Sequence, residues 1–142
     1  MSAFTGRITD LQARGPIAQV NIAISAAAES ALTTAGQAIP PPVQVTALVD
    51  TGASVTAISQ GIAQQLGLQP VGMQPVSTPS NPSANMPLYA VRVVINTVVF
   101  EVTAIEAAGL AVQGIGALLG REVLSQAVFV YIGYANEFTI AL

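Results

Sequence analysis

Hydrophobic positions in this chain recur with a period of two over several short stretches. Between Gln19 and Ser25, Val20, Ile22 and Ile24 alternate with Gln19, Asn21, Ala23 and Ser25, which predicts a half-buried strand. The alternation resumes from Val43 to Asp50, with Val45, Ala47 and Val49 on one face and Asp50 at the strand's end. Thr51–Gly52–Ala53 reads as a tight turn, and Val55 to Ile58 as a return to strand. Tyr89 to Ile95 and Val98 to Ile105 form a strand pair joined near Asn96–Thr97. Ile115 to Leu119 is apolar and stops at Gly120. Val128 to Ile132 and Phe138 to Leu142 complete a closing hairpin around Tyr134–Ala135–Asn136.

Helical signals are few. Ser59 has the chemistry of an N-cap, Ile62 and Leu66 lie four apart, and Gly67 supplies a stop. Arg121 to Gln126 suits a second short helix. Residues 26–42 lose the period: Ala26 to Glu29 could hold a helical turn, but Gly36 and Pro40–Pro41–Pro42 end any regular element, so a long connection is expected. Residues 69–87 carry prolines at 70, 75, 79, 82 and 87 among Ser, Thr and Asn, the pattern of a mobile, polar excursion with little helix. Residues 107–116 are small and flexible in character. Many short strands with frequent turn residues predict one mostly-β domain over residues 1–142, closed or sandwiched.

Composition narrows the chemistry. Apolar residues make up 52% and charged residues 8%, so little charge is available to keep an isolated surface solvated, and burial in an oligomer is favoured. Net charge is −3 with no basic cluster, which lacks the footprint of a nucleic-acid binder. There is no cysteine and no histidine. That removes disulfides, thiol and Ser–His catalysis and the commonest metal ligands, and the scattered carboxylates make no metal cage. No cofactor is expected. The uncharged stretch from Ala107 to Gly120 is too short to span a bilayer. The start lacks the layout of a signal peptide, so the expected location is cytoplasmic.

The chemistry concentrates in Ala47–Leu48–Val49–Asp50–Thr51–Gly52–Ala53–Ser54–Val55–Thr56. Asp50 ends an apolar strand, where an unpaired ionised carboxylate is costly. It needs a partner, hydrogen bonds or a shifted titration. Gly52 lets the backbone approach whatever occupies the site, and Thr51 offers a hydroxyl to lock the loop. The bland reading is a turn-capping aspartate. An Asp–Thr–Gly triplet should arise by chance in on the order of a few per cent of chains this long.

The wider segment resembles the active-site segment of retropepsin-like aspartic proteases: apolar residues, Asp–Thr–Gly–Ala, a small residue, then an apolar strand. Gly114 to Leu124, with Leu118–Leu119–Gly120–Arg121 at its centre, is similar to the family's second signature, an apolar pair followed by Gly–Arg and a short helix. The likeness runs from about residue 17 to the C-terminus. It implies a closed β-barrel, half of an acid protease, with one or two short helices. It implies a two-fold homodimer that hydrolyses a peptide or protein substrate with two carboxylates, one acting as base and one as acid. Only Asp10 and Asp50 are aspartates, and Asp10 has neither the Thr–Gly nor the apolar run, so it reads as a surface residue. One chain then brings one catalytic aspartate, and symmetry must bring the other.

By the same resemblance, Asp50 is the acid/base residue, Thr51 bonds across the two-fold axis, and Gly52 lines the substrate. Ala53 leaves room beside the substrate, with Ser54 next in line. Leu119, Gly120 and Arg121 support the loop from behind. Tyr89 could close over substrate or pack in the core. Residues 73–89 are the candidate flap. Ser54 stands where many viral relatives carry an acid that pairs with the arginine, so Arg121 needs another partner. Activity should peak at acidic or near-neutral pH. Two other readings stay open: a dimerisation or peptide-binding module of the same fold without turnover, and a plain β domain in which Asp–Thr–Gly is a turn.

Overall fold

The computed structural model describes residues 3–78 and 81–142. Ten strands are present: β1 (Ala3–Arg7), β2 (Ile17–Ile24), β3 (Val43–Val49), β4 (Ala57–Ile58), β5 (Gly72–Thr78), β6 (Asn81–Ile95), β7 (Val98–Glu106), β8 (Ala117–Leu119), β9 (Val128–Ile132) and β10 (Glu137–Ala141). Four short helices join them: α1 (Leu11–Arg14), α2 (Ala26–Thr34), α3 (Gln60–Gln65) and α4 (Arg121–Leu124). The larger sheet runs β2-β3-β8-β4-β7-β6-β5, and a further β2–β6 pairing closes six of these strands into a barrel. The second sheet has the order β1-β10-β9. This is the expected closed, mostly-β architecture.

Period-two alternation explains the barrel wall. In β2, Val20, Ile22 and Ile24 are buried while Gln19 and Asn21 face out. Val91, Val93 and Ile95 of β6 do the same and join them in the core. Closing the barrel leaves these strands without free edges. The β6–β7 hairpin turns at Asn96, whose φ of 53° is a left-handed geometry that asparagine tolerates.

Three parts differ from the sequence expectation. Residues 26–34 form a nine-residue helix rather than a single turn. Ser25 caps it by accepting from the Ala28 N–H at 3.1 Å, and Glu101 of β7 accepts from the Ala26 N–H at 3.0 Å. Arg92 of β6 ties the same end down through the Ile24 carbonyl and an ion pair with Glu29. These anchors lie 63 to 75 residues away in sequence, so local pattern does not show them.

The proline-rich excursion is a hairpin. β5 pairs antiparallel with β6 from Gly72↔Leu88 to Thr78↔Asn81, and β6 meets β7 only from Leu88 onward. The arm before Leu88 therefore has a neighbour on one side only, where a proline's missing N–H costs no ladder bond. Pro75 lies on the sheet's edge strand and Pro87 on this one-sided arm. Pro79 of the expected excursion and candidate flap, with Ser80, lies outside the described residues.

The N-terminal segment, which shows no clear alternation, supplies β1, paired with β10 from Ala3↔Ala141 to Arg7↔Glu137. An Arg7–Glu137 ion pair and a 2.9 Å Thr5–Thr139 hydroxyl bond lie along it. Phe138 and Ile140 of β10 are buried, which attaches this small sheet to the core. Asp10 is exposed, as expected. Its carbonyl accepts from Ala13 and Arg14 at the start of α1.

Candidate active site

Two parallel strands set the site. β3 and β8 pair in the register Ala47↔Ala117, Leu48↔Leu118, Val49↔Leu119. The residues that follow, Asp50 and Gly120, consequently leave the sheet side by side. The Asp50 N–H donates to the Leu119 carbonyl at 3.0 Å and extends the pairing by one residue. Leu119 is fully buried, so this rail is fixed within the core.

Beyond it the chain turns sharply. One carboxylate oxygen of Asp50, Oδ1, accepts from the Gly52 N–H at 2.9 Å, and the Asp50 carbonyl accepts from the Ala53 N–H at 3.3 Å. The first bond is an Asx turn, the bland role foreseen for this aspartate. It also fixes the carboxylate. A Cβ on Gly52 would lie 3.2 Å from Oδ1, so a side chain there would press on the carboxylate. Asp50 is half-buried, while Thr51, Gly52 and Ser54 are exposed. Among the described residues, no side chain or backbone N–H bonds the second oxygen, Oδ2.

The second motif braces this loop from behind. The Arg121 N–H donates to the Ala53 carbonyl at 2.8 Å, and its guanidinium Nη1 donates to the Thr51 carbonyl at 2.9 Å. The partner that Arg121 needed in place of an acid at Ser54 is therefore main-chain oxygen. Gly120 lies tight against the far side of the loop. A Cβ there would come within 2.5 Å of the Val55 carbonyl carbon and 2.9 Å of the Thr56 nitrogen. Only a residue without a side chain fits that approach.

Two residues that sequence reasoning passed over complete the brace. Thr56 is fully buried; its Oγ1 accepts from the Gly120 N–H at 3.3 Å, and its carbonyl accepts from Ile105 at 3.0 Å. The Thr56 N–H donates to Glu122 Oε1 at 2.6 Å, a short, charge-assisted bond. Glu122 sits 66 residues away. Its position after Gly–Arg in the second motif was the only clue.

Tyr89 does not join this group. Its side chain is 8% exposed, packs in the main core, and donates its hydroxyl to Glu106 Oε2 at 3.2 Å. Burial, with the Glu106 carboxylate beside it, holds the phenol above its ordinary pKa. Of the two expectations for Tyr89, core packing is the one that matches. The surface under the β5–β6 arm is apolar instead. Val76, Met86 and Leu88 pack toward Ala57, Ile105 and Leu110, and a cavity of about 330 Å³ opens there, lined by Glu106 as well as Ala107 and Ala108.

No group of three or more metal-ligating side chains occurs among the described residues. No described helix is long and apolar enough to cross a membrane.

A family model described as "gag-polyprotein putative aspartyl protease" matches residues 42–126, more than half of the chain and inclusive of both motifs. No curated protein sequence matches. Among solved structures, a retropepsin-like aspartic protease from Rickettsia conorii superposes with a TM-score of 0.53 at 18% identity, over 99% of this chain and 94% of that one. At that identity the superposition speaks for the fold. With the family match across both motifs, the chain belongs to the retropepsin-like, gag-type aspartyl protease family.

Proposed function

We propose that the protein is an aspartic endopeptidase that works as a symmetric homodimer, with Asp50 of each copy forming the catalytic pair. The observation that carries this reading is the placement of Asp50. Its loop is braced from behind by Arg121, Gly120 and Thr56, yet its outer rim at Thr51 and Gly52 is exposed. A second copy related by a two-fold axis would bring an identical loop against that rim.

In the assembled site a water molecule sits between the two carboxylates, which together hold one proton. The unprotonated carboxylate takes a proton from the water as its oxygen bonds to the scissile carbonyl carbon. The protonated one gives its proton to the carbonyl oxygen. The resulting gem-diol collapses: one of its hydroxyls gives its proton to the unprotonated carboxylate as the C–N bond breaks, and the departing nitrogen takes the proton held by the other carboxyl, which returns the pair to one proton. Thr51 from each copy steadies the two loops against one another, and Gly52 and Ala53 give an extended peptide room to lie beside them. The hollow under the β5–β6 arm, apolar apart from Glu106, suits an uncharged substrate side chain.

The Asp50→Asn variant tests this with a library of peptides. It should keep its fold and its assembly state and lose hydrolysis by at least about a thousandfold. Cleavage surviving at the wild-type rate would leave a peptide-binding role for Asp50 at most, and the chemistry would lie elsewhere.

A further inference from the structure

Of the described residues that line the hollow under the β5–β6 arm, Glu106 alone has a polar side chain. It is the last residue of β7, where β4 holds the backbone: Ile58 pairs with Glu106 and accepts from the Ala107 N–H at 2.9 Å. Its Oε2 accepts the hydroxyl of buried Tyr89 at 3.2 Å. Among the described residues, nothing donates to Oε1 and no cation pairs with this carboxylate. A side chain that fills the hollow takes water away from the carboxylate. Hydrocarbon gives nothing back, and a polar group covered without a partner is costly.

Resting on the reading of this chain as an aspartic protease, we propose that Glu106 makes the hollow select tyrosine near the cut, accepting the substrate's phenol on Oε1 as it accepts that of Tyr89 on Oε2. A cavity of about 330 Å³ takes one large side chain rather than a length of chain. An aromatic ring covers the apolar wall, where the Met86 thioether and Ile105 suit its faces. The phenol brings one donor to one free carboxylate oxygen. A lysine would turn further N–H donors toward hydrocarbon, and a glutamine would leave its carbonyl unmatched. A site that hydrogen-bonds a hydroxyl also rejects the analogue lacking it, which an apolar pocket cannot do in reverse.

The hollow belongs to the same packing as the active loop. The apolar cluster around it also holds Val55 and Leu118, and Leu118 pairs with Leu48, two residues before Asp50. Tyr89, fixed in the main core, sets the carboxylate's orientation from behind.

Binding and cleavage test this separately. N-acetyltyrosine amide should bind the full chain at least about tenfold tighter than N-acetylphenylalanine amide in ligand-observed NMR. Glu106→Leu should erase that difference. Glu106→Gln, which can turn an amide N–H toward the hollow, should cut it at least about threefold. Each ratio comes from one protein preparation, so partial unfolding of a variant does not move it. In cleavage, matched peptides with tyrosine or phenylalanine at the selected position should differ at least about a hundredfold in kcat/KM, and both variants should lower that ratio at least about tenfold. Equal binding or no binding of the two amides, a difference that survives Glu106→Leu, or lysine preferred at that position overturns the role of Glu106. The two-aspartate reading then still stands if Asp50→Asn abolishes cleavage. Tyrosine-selective binding that Glu106→Leu removes, in a chain that cleaves no peptide, upholds the pocket and overturns the protease reading.

Discussion

The guanidinium of Arg121 holds the main-chain carbonyl of Thr51 at 2.9 Å, so the loop after Asp50 is pinned by a residue 70 positions further along the chain. The backbone N–H of Arg121 holds Ala53 in the same loop. A loop that must meet another copy of itself has to arrive already shaped, since ordering it during assembly would cost free energy. A main-chain acceptor does this work here without an acid at Ser54.

Replacing Arg121 with alanine removes the side-chain bond and keeps the backbone one. Stability should fall by about 1 kcal/mol, the usual worth of such a bond near solvent. Turnover should fall more steeply, by about ten- to a hundredfold in kcat, because a small displacement of reacting groups is expensive. Urea melts beside steady-state kinetics separate the two effects. Arg121→Lys should recover little of the rate, since an ammonium lacks the planar fork.

Gly120→Ala probes the close approach behind the loop. The backbone at Gly120 is extended, with φ of −82°, so alanine is conformationally allowed there. The obstacle is contact, because the new methyl would meet main-chain atoms of Val55 that cannot swing away. A loss of about 1–3 kcal/mol is expected, read as a lower midpoint in urea.

Tyr89→Phe deletes the hydroxyl that donates to Glu106. At neutral pH the variant should be less stable by about 1 kcal/mol. Above pH 10 the comparison changes. An unfolded tyrosine releases its proton near its ordinary value of 10.0, whereas Tyr89 in the fold holds its proton to higher pH. Its contribution is complete below pH 10 and is lost as pH rises through the folded value, so wild-type stability declines there more steeply than that of the variant. Urea melts at pH 8 and in steps above pH 10 check the difference between the two curves.

The sequence made the barrel strands legible because each buries one face, and period two follows from that. β2, β3, β7 and the β9–β10 hairpin lie where alternation put them, to within a residue or two. The loop from Asp50 to Ser54 and its Gly120–Arg121 brace were visible because tight turns and close packing demand particular residue types. What stayed hidden depends on distant partners. α2 has no buried residue of its own and is fixed by Arg92 and Glu101 from other strands. β1 has too little alternation to declare itself and is a strand because β10 lies beside it. The prolines of β5 and β6 signalled a break in regular structure, but a one-sided arm tolerates them. Glu122 and Thr56 meet across 66 residues, beyond the reach of any local pattern.

Subunit mixing reads the count of aspartates directly. Wild-type chain and Asp50→Asn chain are combined in varying ratio at fixed total concentration, allowed to exchange, and assayed for peptide cleavage. If each active unit needs Asp50 from both copies, activity follows the square of the wild-type fraction, and an equal mixture retains about a quarter of it. Activity that falls in simple proportion, leaving about half in the equal mixture, would mean that one Asp50 suffices and would contradict the paired site.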